Sequence, residues 1–236
     1  MLNNKSEWDI SYEKGDNFVF YPHEEIVRFM SKYIRKRIGL AEFRDIASGI
    51  NGPVRVLDLG CGIGRHVIYC HEMGLETYGI DLSDAAINIA LDWGKRHGIL
   101  DIEKKIKQGD VRYLPWDDGF FGYAISHGVL DSMPYEMARQ AVVELANKMK
   151  NGGLFYCDLI SGDDSQHFRE FDGEELIQAN HEKGTIQSYF NLTKILSLFE
   201  NLFRIHDCIL VRRESILQGG YTSRWHLVLE KIGNNL

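Results

Sequence analysis

The chain has no apolar run long enough to cross a bilayer. Its longest stretch free of charged side chains is Gly119–Leu130, 12 residues that include His127, where a spanning helix needs roughly 20. None of the four cysteines, at 61, 70, 157 and 208, shares C-x-x-C spacing with another, so neither a zinc ribbon nor a dithiol redox motif is supported and no metal is expected. Cys70, Cys157 and Cys208 lie in apolar runs and read as small core residues, whereas Cys61 lies within a glycine cluster. No internal repeat or low-complexity tract stands out. Met1-Leu2-Asn3-Asn4-Lys5-Ser6-Glu7 holds no apolar signal core, so the reading is a cytoplasmic protein. Positive charge is in deficit, with 27 Lys and Arg against 34 Asp and Glu and a net charge of −7. Such a chain binds phosphate backbones poorly, which disfavours a nucleic-acid partner.

What is present is ordinary globular material: 236 residues, 44% hydrophobic and 26% charged. That is enough for one domain with an appendage. Residues 1–21 are polar and aromatic, with Trp8, Tyr12, Phe18, Phe20 and Tyr21. Pro22 and the acids Glu24 and Glu25 open a helix whose apolar face runs from Ile26 to Ile38, with Lys32–Arg37 at its C-terminal end. After the breaker Gly49–Pro53, strands and helices alternate. Strands are expected at Val54–Asp58, Glu76–Ile80, Lys104–Gln108, Gly119–Ser126 and Leu154–Leu159. Helices are expected at Arg65–Glu72, from Ser83 to near Gly98, and at Tyr135–Lys150. This rhythm argues for a parallel sheet covered on both faces. Residues 160–183 are acidic and turn-rich and break the rhythm. A helix at Thr193–Glu200 and strands at Phe203–Val211 and Arg224–Ile232 complete the chain as an antiparallel hairpin.

Chemistry concentrates at the ends of the first three strands. Asp58-Leu59-Gly60-Cys61-Gly62-Ile63-Gly64 follows the first strand and opens a helix, the setting of a nucleotide-type cofactor loop. Its spacing is G-x-G-x-G, with Arg65 where a dinucleotide fingerprint would have its third glycine, which disfavours a nicotinamide enzyme. Asp58 can hold a cationic amine, directly or through water. Asp81 tips the second strand, where an acid accepts from ribose hydroxyls. Asp110, after the third strand, can accept from an adenine amine. The tight turn, the helix cap and the turn acid are the ligand-free readings of these three elements. Together they form one crevice at the carboxyl edge of the sheet.

In these motifs the chain resembles class I S-adenosylmethionine-dependent methyltransferases. The resemblance covers residues 52–160 with specific motifs and 184–232 in pattern only. It implies a Rossmann-like, mostly parallel seven-stranded sheet with helices on both faces and a C-terminal antiparallel hairpin, the last strand inserted beside the fifth. It also implies S-adenosyl-L-methionine as cofactor, held by Asp58, Gly60, Cys61, Gly62, Gly64, Asp81, Leu82, Asp110 and Val111, with His127 meeting the methionine end. Residues 1–40 read as a helical leader or cap and 41–236 as the methyltransferase domain, with the insertion near 160–183 shaping the acceptor pocket.

Methyl transfer needs alignment and dryness, and a base only when the nucleophile must lose a proton. His127 is the first candidate base or orienting group, or else only a backbone contact to the cofactor. His181, beside the acidic insertion, is the second. His66 reads as a helix-surface residue and His226 as an ordinary strand residue. Tyr12, Phe20 and Tyr21 either cover the cofactor or pack the leader. The acids of 163–175 either attract an amine or form a solvated loop. No Asn-Pro-Pro-Tyr, Asp-Pro-Pro-Tyr or Pro-Cys pair follows the fourth strand, which disfavours methylation of adenine amines and cytosine carbon. The expectation is a small-molecule acceptor methylated at N or O. The alternatives are a transferase acting on tRNA or protein, and a protein that only binds the cofactor. Oligomeric state is left open.

Overall fold

Seven strands form the central sheet of the computed structural model, which describes residues 4–15, 17–46, 52–163, 172–178 and 183–233. They are β1 (Arg55–Leu59), β2 (Glu76–Asp81), β3 (Ile106–Gln108), β4 (Phe121–Ser126), β5 (Met149–Ile160), β6 (Phe203–Glu214) and β7 (Tyr221–Lys231). Their order is β6-β7-β5-β4-β1-β2-β3. Strands β1 to β5 run parallel, and β7 lies antiparallel between β5 and β6, as the resemblance implied.

Alternation along these strands divides the core in two. Leu57, Ala124, Phe155, Cys157, Leu227 and Leu229 face one side, against Ala138, Ala141, Val142 and Leu145. Those four lie on the helix Tyr135–Lys148. Val56, Tyr123, Ile125, Tyr156 and Val228 face the other, against Ile26, Phe29, Met30 and Cys70. Because side chains alternate with period two, a strand apolar at every position must be covered twice. Burying each such Leu, Ile or Phe contributes about 1.5–3 kcal/mol.

The helices are α1 (Lys5–Glu13), α2 (Glu24–Phe29), α3 (Arg65–Glu72), α4 (Asp84–Arg96), α5 (Ile102–Lys105), α6 (Tyr135–Lys148) and α7 (Leu192–Phe199). Ser83 Oγ accepts from the Ala86 N–H at 3.1 Å to cap α4, and Asn191 Oδ1 caps α7 through the Lys194 N–H at 2.8 Å.

Three local expectations are corrected. The helix from Pro22 does not reach Ile38. It passes into a π turn at Met30–Ile34 and then into strand Arg35–Arg37, which pairs antiparallel with Phe43–Asp45. Ladder pairing and the Arg35–Asp45 ion pair outweigh helical periodicity there. This ribbon straddles residue 40. Helix α6 stops at Lys148, and the Asn151-Gly152-Gly153 turn is absorbed into β5 as a register irregularity against β4. The insertion is not all loop: Glu174–Leu176 pairs with Ile186–Ser188.

Candidate active site

Strand order reverses on either side of β1, and the carboxyl edge there is the place where open α/β sheets bind ligands. The loop Gly60–Gly64 crosses it. Gly60 and Cys61 both donate to the Ile80 carbonyl at 2.9 Å, tying the loop to β2. Gly60 has φ +75°, and a Cβ there would fall 2.3 Å from Val129 Cγ2. Gly62 has φ +53°, and its Cβ would fall 2.6 Å from the Tyr12 hydroxyl. Only glycine meets both demands.

Two adjoining cavities open beside the loop. The smaller, about 140 Å³, is lined by Asp81, Leu82, Asp110, Val111, Gly60 and Met137 among others. The larger, about 750 Å³, is lined by Gly60, Cys61, Gly62, Arg65, His127, Asp131 and Arg224 among others. Trp8, Tyr12, Gly60, His127, Gly128 and Ser132 line both. The larger cavity is closed on a further side by Glu175, Gln178, Gln187 and Tyr189 from and beside the insertion ribbon.

Asp81 accepts from the Gly62 N–H at 2.8 Å and the Ser83 N–H at 2.9 Å. Burial outweighs these bonds and raises its pKa to about 6. Asp110 is gripped by Arg112 through both oxygens, at 2.5–3.1 Å. Burial works against ionisation of Asp110, but these bonds prevail and hold it below the usual carboxylate value. Asp58 is 2% exposed and neither of its oxygens has a hydrogen-bond partner among the described residues. It stands outside the walls of both cavities, 3.6 Å from His66 Nδ1. Gly64, with φ +89°, begins α3.

His127 is enclosed. Its Nδ1 accepts from Arg65 Nη2 at 3.2 Å, and its Nε2 lies 3.5 Å from Asp158 Oδ2. Burial drives its pKa down to about 3 despite Asp158. His23 lies against it with ring centres 4.1 Å apart and planes tilted by 43°, and is likewise lowered by burial, to about 4. His66 is buried rather than on a helix surface; its Nε2 accepts from the His23 N–H at 3.3 Å. His226 is also buried, with Nδ1 2.8 Å from the Tyr156 hydroxyl. His181 lies outside the described residues.

Beside His127, the Arg224 guanidinium bridges two buried acids, donating from Nε to Asp158 at 2.8 Å and from Nη2 to Asp131 at 2.6 Å. Burial opposes ionisation of Asp158, but Arg224 and His127 outweigh it and hold it well below the usual carboxylate range. Burial prevails at Asp131, whose pKa rises to about 6. The only sequence signal for this network was an acid inside the apolar run Tyr156-Cys157-Asp158-Leu159-Ile160.

The leader folds onto the same edge. Trp8 and Tyr12 line both cavities, Phe20 packs edge-on against Trp93, and Tyr21 points into solvent, 82% exposed.

Buried polar atoms that lack hydrogen-bond partners include both Asp58 oxygens, Ser126 Oγ, His127 Nε2 and Asp131 Oδ1. All lie at or just past the carboxyl ends of β1 and β4. Buried polar groups are normally satisfied, so such a gathering fits a ligand with polar groups of its own. Residues 57–157 match the family model described as "Methyltransferase domain". This segment is a methyltransferase domain. Its family uses S-adenosyl-L-methionine. An acid near the end of β1, an acid-tipped β2 and a glycine loop that lines both cavities suit that cofactor's ammonium, ribose and backbone-hugging chain.

The chain is 27% identical over 158 residues to the sterol 4-C-methyltransferase strm-1 of Caenorhabditis elegans, covering 64% of this chain and 43% of that one. It is 27% identical over 106 residues to the uncharacterized methyltransferase YcgJ of Bacillus subtilis, covering 43% and 38%. The chain spans between 38% and 49% of the length of the curated relatives it matches. Among solved structures, 1,6-didemethyltoxoflavin-N1-methyltransferase of Burkholderia thailandensis superposes with a TM-score of 0.65 at 15% identity, covering 97% of this chain and 87% of that one. An S-adenosylmethionine-dependent methyltransferase of Methanosarcina mazei gives 0.62 at 18%, covering 78% and 94%. These superpositions establish the fold. No described helix is long and apolar enough to cross a membrane.

Proposed function

We propose that this protein transfers the methyl group of S-adenosylmethionine to a nitrogen or oxygen of a small molecule. The observation that carries the reading is the pair of adjoining cavities sharing Gly60, His127, Tyr12 and Trp8 as common walls. The smaller, with Asp81, Asp110 and Val111, suits an adenosine, and the larger leaves room for an acceptor beside the methionine end. That volume favours a transferase over a protein that merely holds the cofactor. The bound cofactor supplies an electrophilic methyl carbon: the acceptor lone pair forms the new bond as the carbon–sulfur bond breaks, and that electron pair stays on sulfur.

The residues of this chain align and shield. Asp81, beside the glycine loop, fixes the nucleoside end; Asp58, buried behind the cavity wall, favours the ammonium through its charge rather than by contact. Trp8 and Tyr12 from the leader, with Glu175, Gln187 and Tyr189 from and beside the insertion ribbon, narrow the approach to the larger cavity, which favours a small acceptor. His127 orients rather than accepts a proton, since its Nδ1 is committed to Arg65 and burial keeps the ring neutral. Positioning of this kind is sufficient for a large share of the rate.

The test is incubation of the purified protein with methyl-labelled S-adenosylmethionine and a panel of small amines, phenols and hydroxy acids. S-adenosylhomocysteine release that depends on a panel member supports the reading. Tight S-adenosylhomocysteine binding with label appearing only on added tRNA or protein overturns the small-molecule assignment.

A further inference from the structure

The larger cavity is lined by the guanidinium groups of Arg65 and Arg224 as well as by the acids Asp131 and Glu175. Arg224 stands on β7 with its side chain 32% exposed, whereas the acids it bridges, Asp131 and Asp158, are 1% and 0% exposed. Nε and one Nη2 hydrogen are spent on those acids, while Nη1 has no partner among the described residues. The two aspartates therefore hold the fork in one orientation, with its remaining donors free. Such a preset fork is matched to a carboxylate, which accepts two parallel hydrogen bonds. Arg65, which follows the glycine loop and also lines this cavity, reaches His127 and, at 3.4 Å, the Tyr21 carbonyl. No carboxylate oxygen of a described residue lies within 4.0 Å of it. Glu175, the other acid in the wall, already accepts from the Tyr189 hydroxyl.

Position separates Arg224, though not Arg65, from the glycine loop. The glycine loop joins β1 to α3, and the sheet order places β4 and β5 between β1 and β7. A group meeting Arg224 lies on the acceptor side of the cavity, beyond His127. We propose that the methyl acceptor of this protein carries a carboxylate, received by Arg224 with Arg65 supplying a second positive charge across the cavity. This rests on the transferase reading above and narrows its substrate class to small organic acids. The nucleophilic nitrogen or oxygen would then sit toward His127, with the acid end anchored at β7.

The test uses the full chain saturated with S-adenosylhomocysteine. Benzoate, phenylacetate and 4-hydroxybenzoate are titrated calorimetrically beside their primary amides. The carboxylates are expected to bind about tenfold or more tightly than the amides. Arg224→Lys keeps a cation between the two aspartates but loses the fork; it should erase that preference and leave S-adenosylhomocysteine affinity unchanged. Arg65→Gln, outside the aspartate network, should weaken carboxylates and not amides, and serves if the first variant does not fold. If S-adenosylhomocysteine binds but carboxylates bind no better than amides, or keep their advantage in both variants, this inference is overturned alone. If S-adenosylhomocysteine itself fails to bind, the transferase reading falls and this one with it.

Discussion

Asp9 of the leader helix accepts hydrogen bonds from the Ser83 hydroxyl at 2.6 Å and from the Ala85 N–H at 3.2 Å. It thereby satisfies a free donor at the start of α4, the helix that follows Asp81. Lys5 pairs with Asp84 beside it. The leader is thus fastened to the element that carries the nucleoside acid, and Trp8 and Tyr12 are carried over the crevice as a result.

Removing residues 1–21 should therefore cut methyl transfer more severely than S-adenosylhomocysteine affinity, because water exclusion and alignment act on the transfer step. Asp9→Ala should do the same more mildly, with a stability loss of about 1 kcal/mol, typical of a lost helix cap. Turnover and calorimetric affinity measured on the same preparations decide this. Full turnover by the shortened chain would remove the covering role.

Gly62→Ala should weaken S-adenosylhomocysteine binding, because a Cβ there meets the Tyr12 hydroxyl at 2.6 Å and left-handed backbone costs about 1–2 kcal/mol. Adding Tyr12→Phe removes the hydroxyl and leaves Tyr12 Cζ, at 3.5 Å, as the nearest ring atom. The double variant should recover part of the lost affinity. Strictly additive effects of the two changes would show that the hydroxyl does not press on the loop.

Asp58→Asn tests whether the unsatisfied acid serves a ligand or the fold. Its oxygens accept no hydrogen bond, so removing its charge should not lower the melting temperature. Affinity for S-adenosylhomocysteine should fall about tenfold, while that for 5′-methylthioadenosine, which has no ammonium, should hold. Equal losses for the two ligands would contradict the ammonium role.

Burial lowers His23 from its ordinary 6.5 to about 4. The folded state thus favours the neutral ring, and the unfolded chain binds the proton first. As pH falls from about 6.5 to about 4, His23 should withdraw stability progressively; above 6.5 it withdraws none. His23→Gln lacks this proton uptake. Melting temperatures of the two proteins across that window should converge, or cross, in favour of the variant as the medium is acidified. A constant difference would mean that His23 titrates normally in the fold.

The strand and helix rhythm from Val54 to Leu159 was legible because each element announces itself locally: an apolar run bounded by glycine, a helical stripe, a serine cap. The glycine loop, Asp81 and Asp110 were legible for a related reason. Each sits immediately after a strand, and parallel strands with right-handed crossovers must deliver all three to one edge. Local signals also misled where a competing pairing existed, as in 35–37, whose helical pattern yields to a ladder with 43–45.

The interior of the site lay beyond such reading. Arg224 meets Asp131 and Asp158 across sequence separations of 93 and 66 residues. His23, His66, His127 and His226 lie far apart in the sequence; His127 was legible at the crevice edge, whereas His66 and His226 alone look like a helix-surface and a strand residue. Tyr12 reaches Gly62 only because Asp9 docks the leader at Ser83. Contacts of this kind depend on which strand neighbours which, and the placing of β7 between β5 and β6 is what brings Arg224 to the cavity wall. Local pattern specifies the elements and their polar tips, whereas packing the sheet determines which tips share a desolvated space, and with that the charge and proton affinity each one shows there.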